Sequence, residues 1–198
     1  MAENPKVQIL LLPGGSLPER MTAGAIGFDV RLRALVSAWE MDPAEPRLRM
    51  TTFDFVRMPV PNGDRNIAGS ASKEPTEDGT GTELVYRLDP GKTVLGGIGF
   101  VTAMQFPMYY WIAPRSGLAA KYHVQVTNAP GTVDPDYRGE AAVSILNGGE
   151  EPFKIRRGMR IAQIIFQKAE IPDFEAVSEW GKLSSTDRGA GGFGSTGL

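Results

Sequence analysis

The sequence predicts an all-β protein, a jelly-roll-like β-barrel with one short helix. Short runs of β-favouring residues recur along the chain with turn residues between them, whereas helical periodicity is scarce. The 24 glycines and 15 prolines favour an antiparallel barrel or jelly-roll, because a parallel α/β sheet would need long crossover helices. The predicted strands cover residues 7–12, 53–59, 84–88, 108–113, 141–146 and 160–167.

The chain length predicts a single domain over residues 1–198, because one hydrophobic core suits this size. Residues 61–81 are polar and rich in Gly, Ser, Thr, Asp and Glu, which predicts a long loop. Residues 184–198 end in R-G-A-G-G-F-G-S-T-G-L, and this glycine density predicts a mobile C-terminal arm.

The one predicted helix follows a turn, P-R-S-G-L-A-A-K, at residues 114–121. Ser116 is the predicted N-cap, and good helix formers follow Gly117. A helix N-terminus attracts anions, and Arg115 adds a planar fork that suits phosphate oxygens. On these residues alone, a surface turn whose arginine pairs with a carboxylate is an equally good interpretation.

The segment N-A-P-G-T-V-D-P-D-Y-R-G-E, residues 128–140, predicts a hairpin that carries recognition groups. Asn128 offers an amide donor and a carbonyl acceptor, the pair that can read the edge of a uracil ring. Asp134 can orient a water or a sugar hydroxyl, and Tyr137 can present a flat face to a deoxyribose. Taken alone, a structural hairpin with its tyrosine packed on its own sheet is the simpler interpretation.

The C-terminal arm carries three more candidates for ligand contact. Its glycines allow the backbone to wrap closely around a ligand and to form an anion-binding nest. Within it, Phe193 could stack on a base, while Arg188 and Ser195 could meet a terminal phosphate. For an arbitrary glycine-rich terminus, a disordered tail with an incidental phenylalanine would be the better interpretation.

The composition excludes several classes of site. The chain has no cysteine, which removes disulfides, thiolate catalysis and cysteine–zinc sites. Its only histidine, His123, gives little basis for a histidine-pair metal site or a serine–histidine triad, and we expect a structural role for it. Lys and Arg number 21 against 23 Asp and Glu, so we expect no nucleic-acid partner. The apolar run at residues 7–12 is too short to span a bilayer, and we expect a cytoplasmic protein with no membrane partner.

Two further segments, A-G-A-I-G-F-D-V at residues 23–30 and R-G-M-R-I-A-Q-I-I at residues 157–165, complete an ordered set of motifs. Together these motifs closely resemble those of the trimeric dUTPase family, over residues 23–32 and 114–198. Each motif is a moderate signal by itself, whereas their joint occurrence in this order is highly specific. The resemblance implies hydrolysis of dUTP to dUMP and pyrophosphate with Mg²⁺, in a homotrimer whose C-terminal arm is swapped onto a neighbouring subunit.

The resemblance also implies a role for each matching residue. Asp134 is the implied catalytic residue, which activates the water that attacks the α-phosphorus. Asp29 is implied to be structural or to reach the metal through water, so we expect no direct protein ligand of Mg²⁺. The implied substrate-binding residues are Arg115, Ser116 and Gly117 for the phosphates, Asn128, Gly131, Thr132 and Val133 for uracil, Tyr137 for deoxyribose, Gln163 near the phosphates, and Arg188, Phe193, Gly194 and Ser195 on the arm.

One segment departs from the family pattern. Asp29 and Arg115 lie several tens of residues farther apart than a minimal family member would need, which predicts an inserted surface excursion within residues 37–82. Tolerated decoration is the favoured interpretation of this excursion, because long loops cost little stability. A surface for a protein partner is the alternative.

Two other functions remain as alternatives. A dCTP deaminase resembles this family in its fold and in its R-S and G-x-x-D elements. Tyr137 and the complete arm motif favour pyrophosphate release over deamination. The other alternative is a non-catalytic regulatory protein that acts through the excursion. The intact Asp134 and Phe193 are evidence against this alternative.

Overall fold

The computed structural model describes residues 4–56 and 71–192, which form antiparallel strands and one α-helix and confirm the predicted fold class. The strands are β1 Gln8–Leu11, β2 Phe28–Arg31, β3 Ala34–Met41, β4 Arg49–Phe53, β5 Ala71–Pro75, β6 Thr82–Leu88, β7 Thr93–Gly97, β8 Phe100–Ala103, β9 Met108–Ala113, β10 Val124–Val126, β11 Gly131–Val133, β12 Ala142–Asn147, β13 Phe153–Arg156 and β14 Arg160–Lys168. The α-helix, α1, is Ser116–Tyr122, and a 3₁₀ turn covers Trp180–Lys182. In these two described ranges, no helix has the length and apolar character needed to cross a membrane.

The strands form four sheets that enclose one main core. Their orders are β10-β12-β7-β3-β4, β11-β9-β14-β2, β13-β6-β5 and β1-β8. Alternate residues of β12 are buried, as expected for a strand with one face on a core. Phe53, Leu88, Tyr110 and Ile145 bring together side chains from three of the sheets in this core. Burial of each such aliphatic or phenyl side chain stabilises the fold by about 1.5–3 kcal/mol.

The register of β9 brings three predicted site segments to the same end of one sheet. Gly131 of β11 pairs with Ile112, and Gln163 of β14 pairs with the next residue, Ala113. Gln163 also pairs with Asp29 of β2 on its other side. The 114–121 turn leaves β9 at this end, so the sheet itself gathers parts of the site.

Five of the six predicted strands are present, and the prediction for residues 53–59 is wrong at residues 54–56, while residues 57–59 lie outside the described residues. There β4 ends at Phe53, and Asp54 accepts a hydrogen bond from the backbone N–H of Val56 at 2.8 Å. Phe55 then adopts a left-handed conformation with φ of 61°. This side-chain turn competes with strand continuation, which the apolar residues had suggested.

The predicted loop at residues 61–81 is wrong at residues 71–75, because β5 pairs with β6, and residues 61–70 lie outside the described residues. Strand β4 lies in the range 37–82, within which the inserted excursion is predicted. That strand pairs with β3 in the five-stranded sheet, and its Phe53 is fully buried. Strand β4 is therefore part of the barrel, and a surface excursion elsewhere within residues 37–82 stays a prediction.

Helix α1 begins one residue earlier than the predicted cap allows. Ser116 is the first helical residue, and Arg115 occupies the N-cap position without a side-chain capping hydrogen bond, so the predicted Ser116 cap is wrong. The helix ends at His123, which adopts the left-handed conformation with φ of 55°. Its backbone N–H donates to the carbonyl of Ala119 at 3.1 Å. His123 thus closes the helix through its backbone.

After β14 the chain runs along the outside of the molecule. Every residue from 170 to 190 is exposed, and this stretch carries no strand. Its large apolar side chains include Ile171, Phe174 and Trp180, and Phe174 is 96% exposed. Such apolar exposure in a single chain is typical of a segment that another chain covers.

Candidate active site

The hairpin at residues 128–140 borders a cavity of about 190 Å³. Arg49, Ile112, Ala141 and Ala142 contribute to its walls. The sequence-predicted residues that line it are Asn128, Gly131, Thr132, Val133, Asp134 and Tyr137. The structure therefore brings together all the residues predicted to read uracil and deoxyribose, with the predicted catalytic carboxylate beside them.

Gly131 lets the hairpin hold the carboxamide of Asn128 against its own backbone. A Cβ atom at Gly131 would lie 2.9 Å from Nδ2 of Asn128, closer than real Cβ contacts. Gly131 is itself fixed by the pairing of β11 with β9. Asn128 remains exposed, so a ligand can reach its donor and its acceptor.

Tyr137 is held by its hydroxyl group. That hydroxyl donates to the backbone carbonyl of Glu140 at 3.1 Å and accepts from Nη2 of Arg49 at 3.3 Å. A Cβ atom at Gly139 would lie 2.5 Å from the same hydroxyl, so glycine is required beside the ring. The ring is half-buried, with its position set by two neighbours and by the absence of a side chain at Gly139.

Asp134 follows β11 directly and is exposed. The alternation along β11 places it on the same face as Thr132, because successive side chains of a strand point to opposite faces. Its backbone carbonyl accepts from the N–H of Tyr137 at 3.3 Å, which closes the turn between the two residues. The carboxylate is therefore accessible to water at the cavity wall.

Arg115 is anchored by Asp29. Its Nε donates to Oδ1 of Asp29 at 3.1 Å, and its Nη1 donates to the carbonyl of Arg160 at 3.3 Å. Arg160 donates to the other carboxylate oxygen of Asp29, also at 3.1 Å. Because the Asp29 side chain is only 12% exposed, this pairing holds both guanidinium groups in fixed positions.

Gln163 closes the same corner. Its Nε2 donates to the carbonyl of Pro114 at 3.0 Å, which fixes the start of the turn that carries Arg115 and Ser116. Gly27 packs so closely on Gln163 that a Cβ atom there would overlap the amide oxygen. In this single chain, Gln163 therefore supports the turn, and Ser116 and Gly117 are exposed at its surface.

Arg115 lines a second cavity, of about 540 Å³, whose walls are rich in arginine. The charged residues around it are Arg31, Arg115, Arg156, Arg157, Arg160, Glu77, Asp78 and Glu83. Most of these arginines already pair with carboxylates, Arg115 and Arg160 with Asp29 and Arg156 with Glu83. Threonine contacts, above all the hydroxyl of Thr76, lower the pKa of Asp78 to about 2, so this carboxylate stays charged at neutral pH.

The structure describes only part of the predicted substrate-binding residues on the C-terminal arm. Arg188 is exposed, and its Nε donates to the carbonyl of Gly191 at 2.8 Å. Phe193, Gly194 and Ser195 lie outside the described residues. In the described ranges, no group of three or more His, Cys, Asp or Glu side chains is arranged to hold a metal ion.

Sequence reasoning did not single out Arg160 or Arg49, which line these cavities. Arg160 belongs to the R-G-M-R-I-A-Q-I-I segment, which was the available signal, whereas its pairing with Asp29 appears only in the structure. Arg49 lies in the segment predicted to be a surface excursion, and no local pattern marks it. Its contact with Tyr137 spans 88 positions and depends on the fold.

The chain matches known proteins in sequence. The family model described as dUTPase matches residues 84–197. A deoxyuridine 5′-triphosphate nucleotidohydrolase from Rhizobium rhizogenes is 46% identical over 134 residues, which cover 68% of this chain and 81% of that protein. The protein of the same description from Rickettsia akari is 42% identical over 139 residues, covering 67% of this chain and 92% of that protein.

Solved structures share the fold at lower identity. The dUTPase of Staphylococcus bacteriophage 80alpha, solved with dUpNHpp, is 18% identical with a TM-score of 0.64, covering 98% of this chain and 99% of that chain. A mutant dUTPase from phage phi11 of S. aureus, which shows the coordination of a structural Mg(II) ion, is 14% identical with a TM-score of 0.57. That match covers 88% of this chain and 98% of the phage chain. With a family match over more than half of its length and relatives above 40% identity, the chain belongs to the dUTPase family.

Proposed function

We propose that this protein hydrolyses dUTP to dUMP and pyrophosphate. The observation that carries the proposal is the 190 Å³ cavity in which Asn128, Asp134 and Tyr137 meet on one hairpin. The reaction needs three groups around its nucleoside. They are a carboxamide that reads uracil, an accessible carboxylate and an aromatic wall. The Rhizobium and Rickettsia relatives carry the name of this activity.

The hairpin supplies selectivity for the base and the sugar. Asn128 pairs with the polar edge of uracil, and the close backbone of Gly131 to Val133 leaves no room for the 5-methyl group of thymine. Tyr137 stacks under the deoxyribose and excludes a ribose 2′-hydroxyl. Selection by exclusion requires walls that do not move, and both walls are held by the contacts described above.

Asp134 performs the proton chemistry. Its carboxylate orients a water, accepts a proton from it and directs the oxygen to the α-phosphorus in line with the leaving group. The bond from the α-phosphorus to the bridging oxygen breaks, and pyrophosphate leaves. Arg115, with Ser116 and Gly117 beside it, binds the phosphates, and Gln163 holds that turn in position.

Magnesium is the cofactor of this reaction, and the triphosphate rather than a protein side chain would hold it. The charged residues fit this arrangement, because both oxygens of Asp29 already accept hydrogen bonds from Arg115 and Arg160. Asp29 would therefore contact the ion only through water. Magnesium allows this, because it retains several of its bound waters. When bound, the ion neutralises charge on the phosphates.

The functional unit is a homotrimer with shared active sites. Asn128 and Asp134 line one cavity of this chain while Arg115 lines another, so contributions from neighbouring chains are a natural way to complete each site. The exposed Ile171 and Phe174 give the C-terminal segment an apolar surface suited to packing on a neighbour. This packing would carry Arg188, and the arm residues beyond it, to the neighbour's nucleotide.

The activity can be tested directly with purified protein and magnesium. Incubation with dUTP should release pyrophosphate and dUMP, whereas incubation with dCTP should release no ammonia. Ammonia from dCTP would instead support a deaminase, and absence of turnover of either nucleotide would support a binding protein.

The variant Asp134→Asn tests the proposed base. We expect it to lose about a hundredfold to ten-thousandfold in kcat while it still binds dUMP, because the amide cannot accept the proton. The matched control is Asp136→Asn, an exposed aspartate two residues away in the same turn, which should retain wild-type turnover. Equal activity of the two variants would remove Asp134 from the mechanism.

A further inference from the structure

Arg49 lies next to Tyr137, the ring proposed to select the sugar, although it comes from a different strand and a distant part of the sequence. It is the first residue of β4 and lines the same cavity as Asp134 and Tyr137. Nothing in the motifs of the hairpin itself identifies it. Its contacts, however, converge on the parts of the hairpin that determine where the Tyr137 ring lies.

The backbone of β4 is clamped to the end of the hairpin. The N–H of Arg49 donates to Oε2 of Glu140 at 3.1 Å, and the N–H of Glu140 donates to the carbonyl of Arg47 at 2.7 Å. Glu140 is fully buried, so these bonds form away from competing water. The base of the Arg49 side chain therefore has a fixed position relative to Tyr137.

The guanidinium group then joins three segments. Its Nε donates to the carbonyl of Glu140 at 3.1 Å, and its Nη1 donates to the carbonyl of Ala38 at 3.0 Å. Its Nη2 donates to the hydroxyl of Tyr137 at 3.3 Å. The planar guanidinium group fixes the directions of these three donors. A lysine ammonium on its flexible stem could not reproduce them.

The carbonyl of Glu140 links the two side chains. It accepts both from Nε of Arg49 and from the hydroxyl of Tyr137, so the three groups form a closed triangle of hydrogen bonds. The tyrosine hydroxyl donates in one direction and accepts in the other. This arrangement opposes sliding of the ring in its own plane, the movement that would open space beside a bound sugar.

We propose that Arg49 is a positioning residue for sugar selection, which fixes the Tyr137 ring so that a ribose 2′-hydroxyl is excluded. The proposal rests on the proposed dUTP hydrolysis, in which Tyr137 stacks under the deoxyribose. Exclusion of one hydroxyl requires a wall that holds its position, because a shift of about 1 Å can undo the selection. The segment predicted to be a surface excursion thus supplies part of the specificity of the site.

The test compares kcat/KM for dUTP and for UTP in variants of the full-length protein. Arg49→Met keeps most of the aliphatic stem and removes the donors, and we expect it to lower the dUTP to UTP preference by about tenfold or more. Arg49→Lys should lower the preference as well, because it keeps the charge without the fork. The matched control is Arg47→Met, an exposed arginine of the same segment whose side chain pairs with Glu45, and it should keep the wild-type preference.

Tyr137→Phe separates positioning from general stability. It removes the shared hydroxyl and leaves the other contacts of Arg49 in place, so it should lower the preference by itself. In the Tyr137→Phe background, Arg49→Met should reduce the preference no further, because the coupling between the two groups is already lost. Should Arg49→Met fail to fold, Arg49→Lys decides in the same comparison, alone and in the Tyr137→Phe background.

Three results would overturn the proposal. They are a wild-type dUTP to UTP preference in Arg49→Met, the same in Tyr137→Phe, and additive losses in the double variant. Any of them would remove Arg49 from sugar selection while leaving dUTP hydrolysis intact. Absence of dUTP turnover in the wild-type protein would contradict the proposed function itself, and so the two failures are distinguishable.

Discussion

Glu140→Gln should destabilise this protein strongly. The carboxylate of Glu140 is fully buried and accepts four hydrogen bonds. Arg33 binds it through both oxygens, at 2.9 and 3.0 Å. The backbone N–H groups of Gly99 and Arg49 donate to it at 2.9 and 3.1 Å. The substitution replaces one accepting oxygen with an NH₂ group that faces two donors.

The expected loss follows from the charge that remains. Arg33 is only 7% exposed, so the variant leaves a guanidinium in the interior without a carboxylate. Removal of one partner of a buried ion pair costs about 3–5 kcal/mol, because the other charge stays desolvated. This is a large part of the roughly 5–15 kcal/mol that stabilises a typical protein.

Urea unfolding at one fixed protein concentration would measure the loss, since the stability of an oligomer depends on concentration. Glu45→Gln is the control, because Glu45 pairs with Arg47 at the surface and should shift the midpoint only marginally. The double variant Arg33→Met with Glu140→Gln should lose less than the two single losses added together, since no unpaired charge remains. A loss below about 1 kcal/mol for Glu140→Gln would refute this reasoning.

Three further predictions concern the site and the core. Gly131→Ala should raise KM for dUTP about tenfold or more, because its Cβ would displace the Asn128 carboxamide; an unchanged KM would contradict that contact. Asp29→Asn should lower kcat/KM about tenfold, because the amide holds Arg115 less firmly, and steady-state kinetics that match wild type would remove this role. Burial raises the pKa of Tyr110 to about 12, so the unfolded chain loses this proton first, and stability should fall as pH rises from about 10 towards 12, by up to about 1.4 kcal/mol per pH unit. In thermal unfolding, the Tyr110→Phe variant should lose less stability than the wild-type protein over this pH range. Equal losses of stability in both proteins would contradict the prediction.

Some properties of this protein follow from its sequence because they are local. Alternating apolar residues and frequent turns determined the all-β class, and five strands lie where such runs occur. The residues of the 128–140 hairpin meet at one cavity because they are close along the chain, within one turn of backbone. The motifs also determined the family, since their order is a property of the sequence alone.

Other predictions failed where a local preference competed with distant partners. The polar segment before residue 81 had the composition of a loop, yet β5 found a partner in β6. Ser116 had the residue type of an N-cap, yet the helix begins at it. Composition does not encode the pairing of β5 with β6, and at the helix start Arg115 occupies the cap position without a side-chain hydrogen bond.

Tertiary structure alone decided which distant residues complete the site. The Arg49 contact with Tyr137 joins residues 88 positions apart, and the Arg33 pair with Glu140 joins residues 107 positions apart. Both contacts depend on the register of β3, β4 and β7. A shift of one residue in this register would turn each side chain to the other face of the sheet and break the contacts. Arginines are common on protein surfaces, so residue type marks neither contact, and only the packed sheets brought these side chains to the hairpin.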